Sequence, residues 1–332
     1  MFMNSSKMII LFILIMSTIF IMSNNSWIIS WMYMEINLFS FISILANKNS
    51  FNSESLMKYF FVQTVCSLNL FLMILILWNW IYQKNLIYSL LNLCILMKMG
   101  SAPLHYWYIQ IIESLSWLNL FLISTWQKIM PLIMLTYNFN LNILIFSVYL
   151  NSLISAMGGI NQTSLRKILG YSSINHISWM LCCLIINDNM LNFYLISYTL
   201  MMISICLMFY MWNINYMNQM FFFNNFKLNL LLFLMILLSL GGLPPFFGFI
   251  PKWMVINFML MNNMILMMMF MIFMSLIVLF FYFNVTYQSI LMNSFKMKWF
   301  IEFKINSHKY MIFMFTFMTL FMTMILLFIY FF

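Results

Sequence analysis

Charge is what this 332-residue sequence has least of. Asp, Glu, Lys and Arg together fill 6% of positions, acids number five, and arginine occurs once, at Arg166. Against 65% hydrophobic residues and a mean hydropathy of +1.00, that scarcity excludes an ordinary soluble domain. Cysteine is sparse too: Cys66, Cys94, Cys182, Cys183 and Cys206 form no CxxC pair and no Cys/His cluster at ligand spacing. They read as small apolar core residues, so no iron–sulfur cluster, structural zinc or disulfide framework is expected. The sequence also has no GxGxxG, no Walker A stretch and no nucleophile beside a base, which disfavours nucleotide binding and hydrolysis. The formal charge of +9 gives no support for nucleic-acid binding. Most basic residues fall in short connections, at Lys48, Lys84, Arg166, Lys167, Lys227 and a cluster over 296–309, where they anchor to lipid headgroups.

What the sequence has in quantity is apolar runs of about 17 to 25 residues, each able to cross about 30 Å of hydrocarbon. They predict an all-α, polytopic transmembrane bundle of about eleven helices in a single integral membrane domain over 1–332. The spans lie near 7–23, 27–46, 55–78, 86–113, 117–137, 141–159, 168–186, 190–212, 228–262, 264–284 and 310–330. Residues 8–22 lack an A-x-A-like cleavage site and are followed by further spans, so they read as the first helix and not as a removable signal.

Two spans are too long for one crossing and carry helix breakers at their centres, KMGSAP over 98–103 and GGLPPFFGFIP over 241–251. Each reads as a tight pair of short segments or as one discontinuous helix, and the lengths fit the second better. Residues 230–244 make about 21 Å of helix and 251–262 about 16 Å, which together span one bilayer. Unpaired backbone at such a joint must face protein or water, and broken helices of this kind mark ion pathways.

Four charged residues lie at membrane depth. Glu35 is about 12 Å into its helix, Lys98 about 18 Å and Lys128 about 16 Å into theirs, and Lys252 opens the second half of the last broken span. A lone charge at helix centre costs about 2.5 to 3.5 kcal/mol, so pairing and internal water must offset the four. One acid against three bases leaves the set unbalanced, and at least one lysine is expected to exist neutral and so to relay a proton. Each also has a structural reading. Glu35 reads equally as a packing acid beside a lysine. Lys98, two residues before Gly100, reads also as a cap for the exposed carbonyls of a half-helix. Lys128 has the weakest structural explanation. Lys252 sits where the helix dipole disfavours a cation. His176 lies among Ser172, Ser173 and Asn175, which suit a hydrated relay, whereas His105 reads either as a helix–helix hydrogen bonder or as a proton carrier. Glu54 and Lys58 form an i,i+4 surface pair, Glu113 falls near an interface, and Asp188 lies in the NDN turn. The Gly158–Gly159 and Gly241–Gly242 pairs read as close helix contacts or hinges.

Composition also speaks of the gene. Alanine occurs three times and glycine seven, whereas Phe reaches 38 and Met 39. Residues with GC-rich codons are nearly absent, and so much methionine suits a code that reads ATA as Met; both point to a mitochondrial genome.

The stretches NSSKMIILF, SWMYMEIN, MKMGSAPLHYW, TWQKIMP, LRKILGYSSINHISWM and GGLPPFFGFIPKW resemble, in order and spacing, the antiporter-like membrane subunits of mitochondrial NADH:ubiquinone oxidoreductase, respiratory complex I, in an insect-like form. The resemblance covers essentially the whole chain, and the family is related to multisubunit sodium–proton antiporters. Animal members lack N-terminal helices that bacterial ones keep, in line with eleven spans. The resemblance implies a proton-translocating subunit of an NADH:ubiquinone reductase with no redox chemistry of its own. It implies that Glu35 and Lys98 are the coupling acid–lysine pair, Lys128 the central channel lysine and Lys252 the broken-helix lysine on the exit side. It makes His176 a candidate relay, and His105 is kept beside it. No cofactor is expected in this chain; FMN, iron–sulfur clusters and ubiquinone are expected in other subunits. Partners implied are other membrane and accessory subunits of the complex and membrane lipids, cardiolipin among them, with the proton as transported species, in the mitochondrial inner membrane. The sequence departs from the family at Tyr33 and Ser178, where glycine is usual. Two other readings use the same residues: a stand-alone cation–proton antiporter, and a membrane scaffold whose polar residues only join helices.

Overall fold

The computed structural model describes residues 5–46, 50–79, 84–219 and 227–292, and no strand occurs among them. By packing, the described residues fall into two compact units, one up to Ser147 and one from Val148 on. The first holds α1 (Ser5–Ser23), α2 (Trp27–Leu45), α3 (Ser50–Asn79), α4 (Lys84–Met99), α5 (Tyr106–Ser114), α6 (Trp117–Ser124) and α7 (Trp126–Tyr137). Helix α8 (Leu141–Gly159) carries the chain onward to α9 (Leu165–Ile186), α10 (Asp188–Trp212), α11 (Lys227–Gly241), α12 (Phe249–Met261) and α13 (Ile265–Met292). Among the described residues, seven segments are long and apolar enough to cross a membrane, Trp27–Leu45, Trp117–Tyr137 and Leu165–Ile186 among them. The expected span over 310–330, Lys48 and the basic cluster over 296–309 lie outside the described residues.

Burial sorts the helices. On α3, Met57, Phe61, Val65, Leu68 and Leu72 are exposed at steps of three and four, so one face meets lipid or another chain. Helix α9 is buried along nearly its whole length, and Ser172, Ser173, Asn175, His176 and Ser178 are all inside the protein. Polar groups that would be costly against hydrocarbon are placed where other helices surround them. The five cysteines are free thiols, with Cys94 half-buried and the others buried.

Both long spans are interrupted where glycine and proline cluster. Helix α4 stops at Met99 and α5 resumes at Tyr106; α11 stops at Gly241 and α12 resumes at Phe249, with Pro251 in its first turn, where no intrahelical N–H is required. A third interruption falls inside the span over 117–137. At Thr125 (φ −118°, ψ −68°) α6 ends and α7 begins. Pro131 has no N–H for the carbonyl of Gln127 and weakens the turn before it. The hydroxyls of Ser124 and Thr125 both donate to the Phe121 carbonyl, and Lys128 N closes a tight turn on Thr125 O at 3.2 Å.

Candidate functional site

In the first unit the site is built on the end of α4. Gly100, at φ +73°, takes the left-handed conformation that ends a helix. Its N–H reaches Met97 O at 3.1 Å and Ser101 N reaches Leu96 O at 3.1 Å, the crossed pair of a Schellman turn. Ser101 Oγ adds a bond to Leu96 O at 2.8 Å. The next carbonyl, that of Lys98, accepts from Gln63 Nε2 of α3 at 3.1 Å. Neighbouring groups thus cap the end of α4, and the Lys98 side chain is directed elsewhere.

Lys98 Nζ lies 3.9 Å from Glu35 Oε1 of α2 and 3.9 Å from Met34 Sδ. Glu35 is one-fifth exposed, yet Oε1 is buried and has no hydrogen-bond partner; 3.9 Å is an ion pair without a hydrogen bond. Lys98 and Lys128 both line one cavity of about 30 Å³, walled also by Asn37, Tyr59, Gln63, Trp107, Tyr108 and Gln127. One water needs about 10 to 15 Å³, so the cavity has room for two. Asn37 Oδ1, Trp107 Nε1 and Gln127 Nε2 on its wall are buried without protein partners, which is the donor and acceptor set that internal water satisfies. Lys128 Nζ stands 5.3 Å from the centre of the Tyr108 ring, within reach of a cation–π contact. Tyr108 is fixed in turn by Gly100, where an added Cβ would come within 2.7 Å of Tyr108 Cβ.

His105 does not line this cavity. Its Nδ1 lies 3.1 Å from Pro103 O, so its contact is with the backbone of the break, where it precedes α5.

The second unit repeats the break with a different use of lysine. Gly242, at φ +84°, ends α11 in the same crossed turn: its N–H bonds Ser239 O at 3.0 Å, and Leu243 N bonds Leu238 O at 3.4 Å. The two carbonyls that remain are met by Lys252 of α12, whose Nζ donates to Gly241 O at 2.8 Å and to Leu240 O at 3.5 Å. The expectation that the dipole disfavours Lys252 holds for its backbone position only. Its ammonium folds back across the joint to the C-terminal end of α11, where a cation is favoured. The capping role weighed for Lys98 belongs to Lys252.

His176, in the buried middle of α9, has Nδ1 2.9 Å from the Tyr194 hydroxyl of α10. The ring of Tyr198 packs over it at 4.7 Å between centroids. The hydroxyls of Ser172, Ser173 and Ser178 donate to carbonyls of their own helix, three residues back, so their protons are not turned to the imidazole.

The model of a family described as "NADH:quinone oxidoreductase/Mrp antiporter, TM" matches residues 23–278. The chain belongs to that family. Antiporter-family relatives similar to it include NADH-ubiquinone oxidoreductase chain 2 of Anopheles gambiae, 39% identical over 91% of each chain. The chain 2 of Locusta migratoria is 37% identical over 92% of each. A chain of the solved respiratory complex I from Thermus thermophilus with bound aureothin superposes with a TM-score of 0.82 at 17% identity, covering 96% of this chain and 77% of that one. At that identity the likeness speaks for the fold, an antiporter-type bundle with broken helices.

The two departures from the antiporter-family pattern are accommodated locally. Tyr33 stacks on Phe20 of α1 at 5.3 Å and 18°, and Ser178 donates back to Asn175 O at 2.6 Å. Sequence reasoning missed Gln63, Asn37, Gln127, Tyr108 and Tyr194. Gln63 and Gln127 did carry a signal, being lone amides in apolar runs, but which carbonyl or cavity such a group meets depends on a neighbouring helix.

Proposed function

We propose that this chain is a proton-translocating membrane subunit of a respiratory NADH:ubiquinone oxidoreductase of the mitochondrial inner membrane. Electron transfer takes place in other subunits, which also hold FMN, the iron–sulfur clusters and ubiquinone, and this chain answers it by moving protons. Other subunits of the complex and lipids such as cardiolipin are its surroundings. Glu35, Lys98 and Lys128 are the working groups of the first unit, and Lys252 with His176 those of the second, Lys252 at the exit end.

The observation that carries the proposal is the small polar cavity walled by both Lys98 and Lys128, with Glu35 at 3.9 Å from Lys98. A carboxylate that near holds the Lys98 ammonium by charge. Loosening the pair frees positive charge at Lys98, which repels a proton on Lys128 through a cavity with little water to screen it. Water in that space supplies the path for the proton. His105, bonded to the backbone of the break, takes a supporting part at the joint.

The test is Lys128→Met in the assembled complex, with protons moved per NADH oxidised as the readout. A lower ratio in a complex of normal abundance is the expected result, and an unchanged ratio would remove Lys128 from the path. Sodium-dependent exchange by this chain alone in proteoliposomes would favour a stand-alone antiporter instead.

A further inference from the structure

His176 and its neighbours in the second unit carry a consequence beyond the relay. Tyr194 and Tyr198 stand four residues apart on α10 and therefore on one face of it. Together they clasp the imidazole of α9: the Tyr194 hydroxyl meets Nδ1 at 2.9 Å, and the Tyr198 ring covers the face at 4.7 Å. Tyr194 is fully buried and His176 nearly so, so the phenol proton needs a partner inside the protein. A lone pair on Nδ1 supplies it. The neutral ring then carries its proton on Nε2.

We infer that Tyr194 is the positioning residue for His176, fixing which nitrogen of the imidazole exchanges a proton and in what direction the ring points. The inference rests on the reading of His176 as a proton-carrying group. When the ring gains a proton at Nδ1, the phenol keeps its own proton, accepts from Nδ1–H, and turns its O–H to the water that delivered the proton, because a buried phenol proton still needs an acceptor. One proton has been added, none has left the phenol, and the same two atoms stay bonded with the direction reversed. The ring therefore keeps its orientation in both charge states, as a group that must load and unload a proton at a fixed place requires. Tyr194 acts through His176 and is not itself a carrier.

The experiment is a cycle of three complexes, His176→Gln, Tyr194→Phe and the double variant, each scored for assembled abundance and for protons moved per NADH oxidised. Tyr194→Phe removes one oxygen and keeps the ring, so abundance is expected to stay near the starting level. The expected result is that both single variants lower the ratio by a similar factor, and that the double variant is no lower than His176→Gln. A Tyr194→Phe complex with an unchanged ratio, while His176→Gln is impaired, overturns the positioning role and leaves the relay standing. Additive losses in the double variant overturn it as well, because Tyr194 would then act elsewhere. An unchanged ratio in His176→Gln removes the relay and the inference with it. Should Tyr194→Phe fail to assemble, Tyr194→His, which keeps a ring and a donor, is substituted; failure of both assigns Tyr194 to folding and overturns the inference.

Discussion

The two broken spans end their first halves in the same way and use their lysines in opposite ways. At α4 and at α11 a left-handed glycine, Gly100 or Gly242, closes a Schellman turn with matching hydrogen bonds. That turn leaves the next carbonyl open in each case. At α4 it is met from outside by Gln63 of α3, and Lys98, which lies before the break, reaches Glu35 and a polar cavity. At α11 it is met from inside by Lys252, which lies after the break and folds back on it. An amide supplied by a neighbouring helix thus leaves a lysine side chain to reach an acid. Where none does so, the lysine's ammonium also holds the joint together.

The largest effects are expected from neutralising each lysine in turn. Lys252→Met leaves the Gly241 and Leu240 carbonyls without their donor, at about 1 to 3 kcal/mol for each buried group, so abundance of the complex on native gels should fall about tenfold or more. Lys98→Met should keep more of the assembled complex and lose proton movement per NADH oxidised. Equal abundance of the two would show that the lysines have the same job.

Glycine substitution comes next. Alanine at either Gly100 or Gly242 costs about 1 to 2 kcal/mol for the left-handed conformation alone. The added methyl of Gly100→Ala would meet Tyr108 at its rigid Cβ, 2.7 Å away, whereas that of Gly242→Ala meets the flexible end of Lys252 at 2.9 Å. Gly100→Ala should therefore lower the temperature of thermal inactivation more than Gly242→Ala. The reverse order would mean that the Lys252 contact is the stiffer of the two.

A smaller effect is expected from Gln63→Met, which fills the same space but deprives the Lys98 carbonyl of its donor. The loss is about 1 kcal/mol, read as a modest drop in thermal stability. If instead Lys98 turns to cap its own helix, proton movement should fall while stability is kept. The smallest expected effect is at Glu54, whose 2.7 Å pair with Lys58 sits on an exposed surface; Glu54→Gln should change neither abundance nor the pumping ratio.

Much of this was legible in the chain. The runs that became α1, α2 and α8 were bounded by turn residues to within a few positions, because a bilayer sets how much continuous apolar helix is needed. Gly100, Pro103, Gly242 and Pro244 announced two of the breaks, since glycine at a helix end and proline soon after are local requirements of the backbone. The interruption at Thr125 was less legible. The nearest proline, Pro131, lies six residues on, and a proline inside a helix produces a kink or a break according to what is packed around it. That Lys252 and not Lys98 meets the carbonyls of a half-helix end was not legible, because a lysine side chain is long enough to reach either along its own helix or across a joint.

A membrane-spanning helical chain, the breaks in its longest spans and the burial of Lys98, Lys128 and Lys252 could be read from the residues alone. Those properties depend on residues close together in the chain and on the thickness of hydrocarbon. Packing was needed to bring Lys98 and Lys128 to one cavity, to let Gln63 meet the Lys98 carbonyl and Lys252 close the end of α11, and to set Tyr194 against His176. Each of those contacts joins separate helices. Which groups meet there is set by how the helices pack and rotate against each other, and the burial that makes the contacts strong exists only once they have done so.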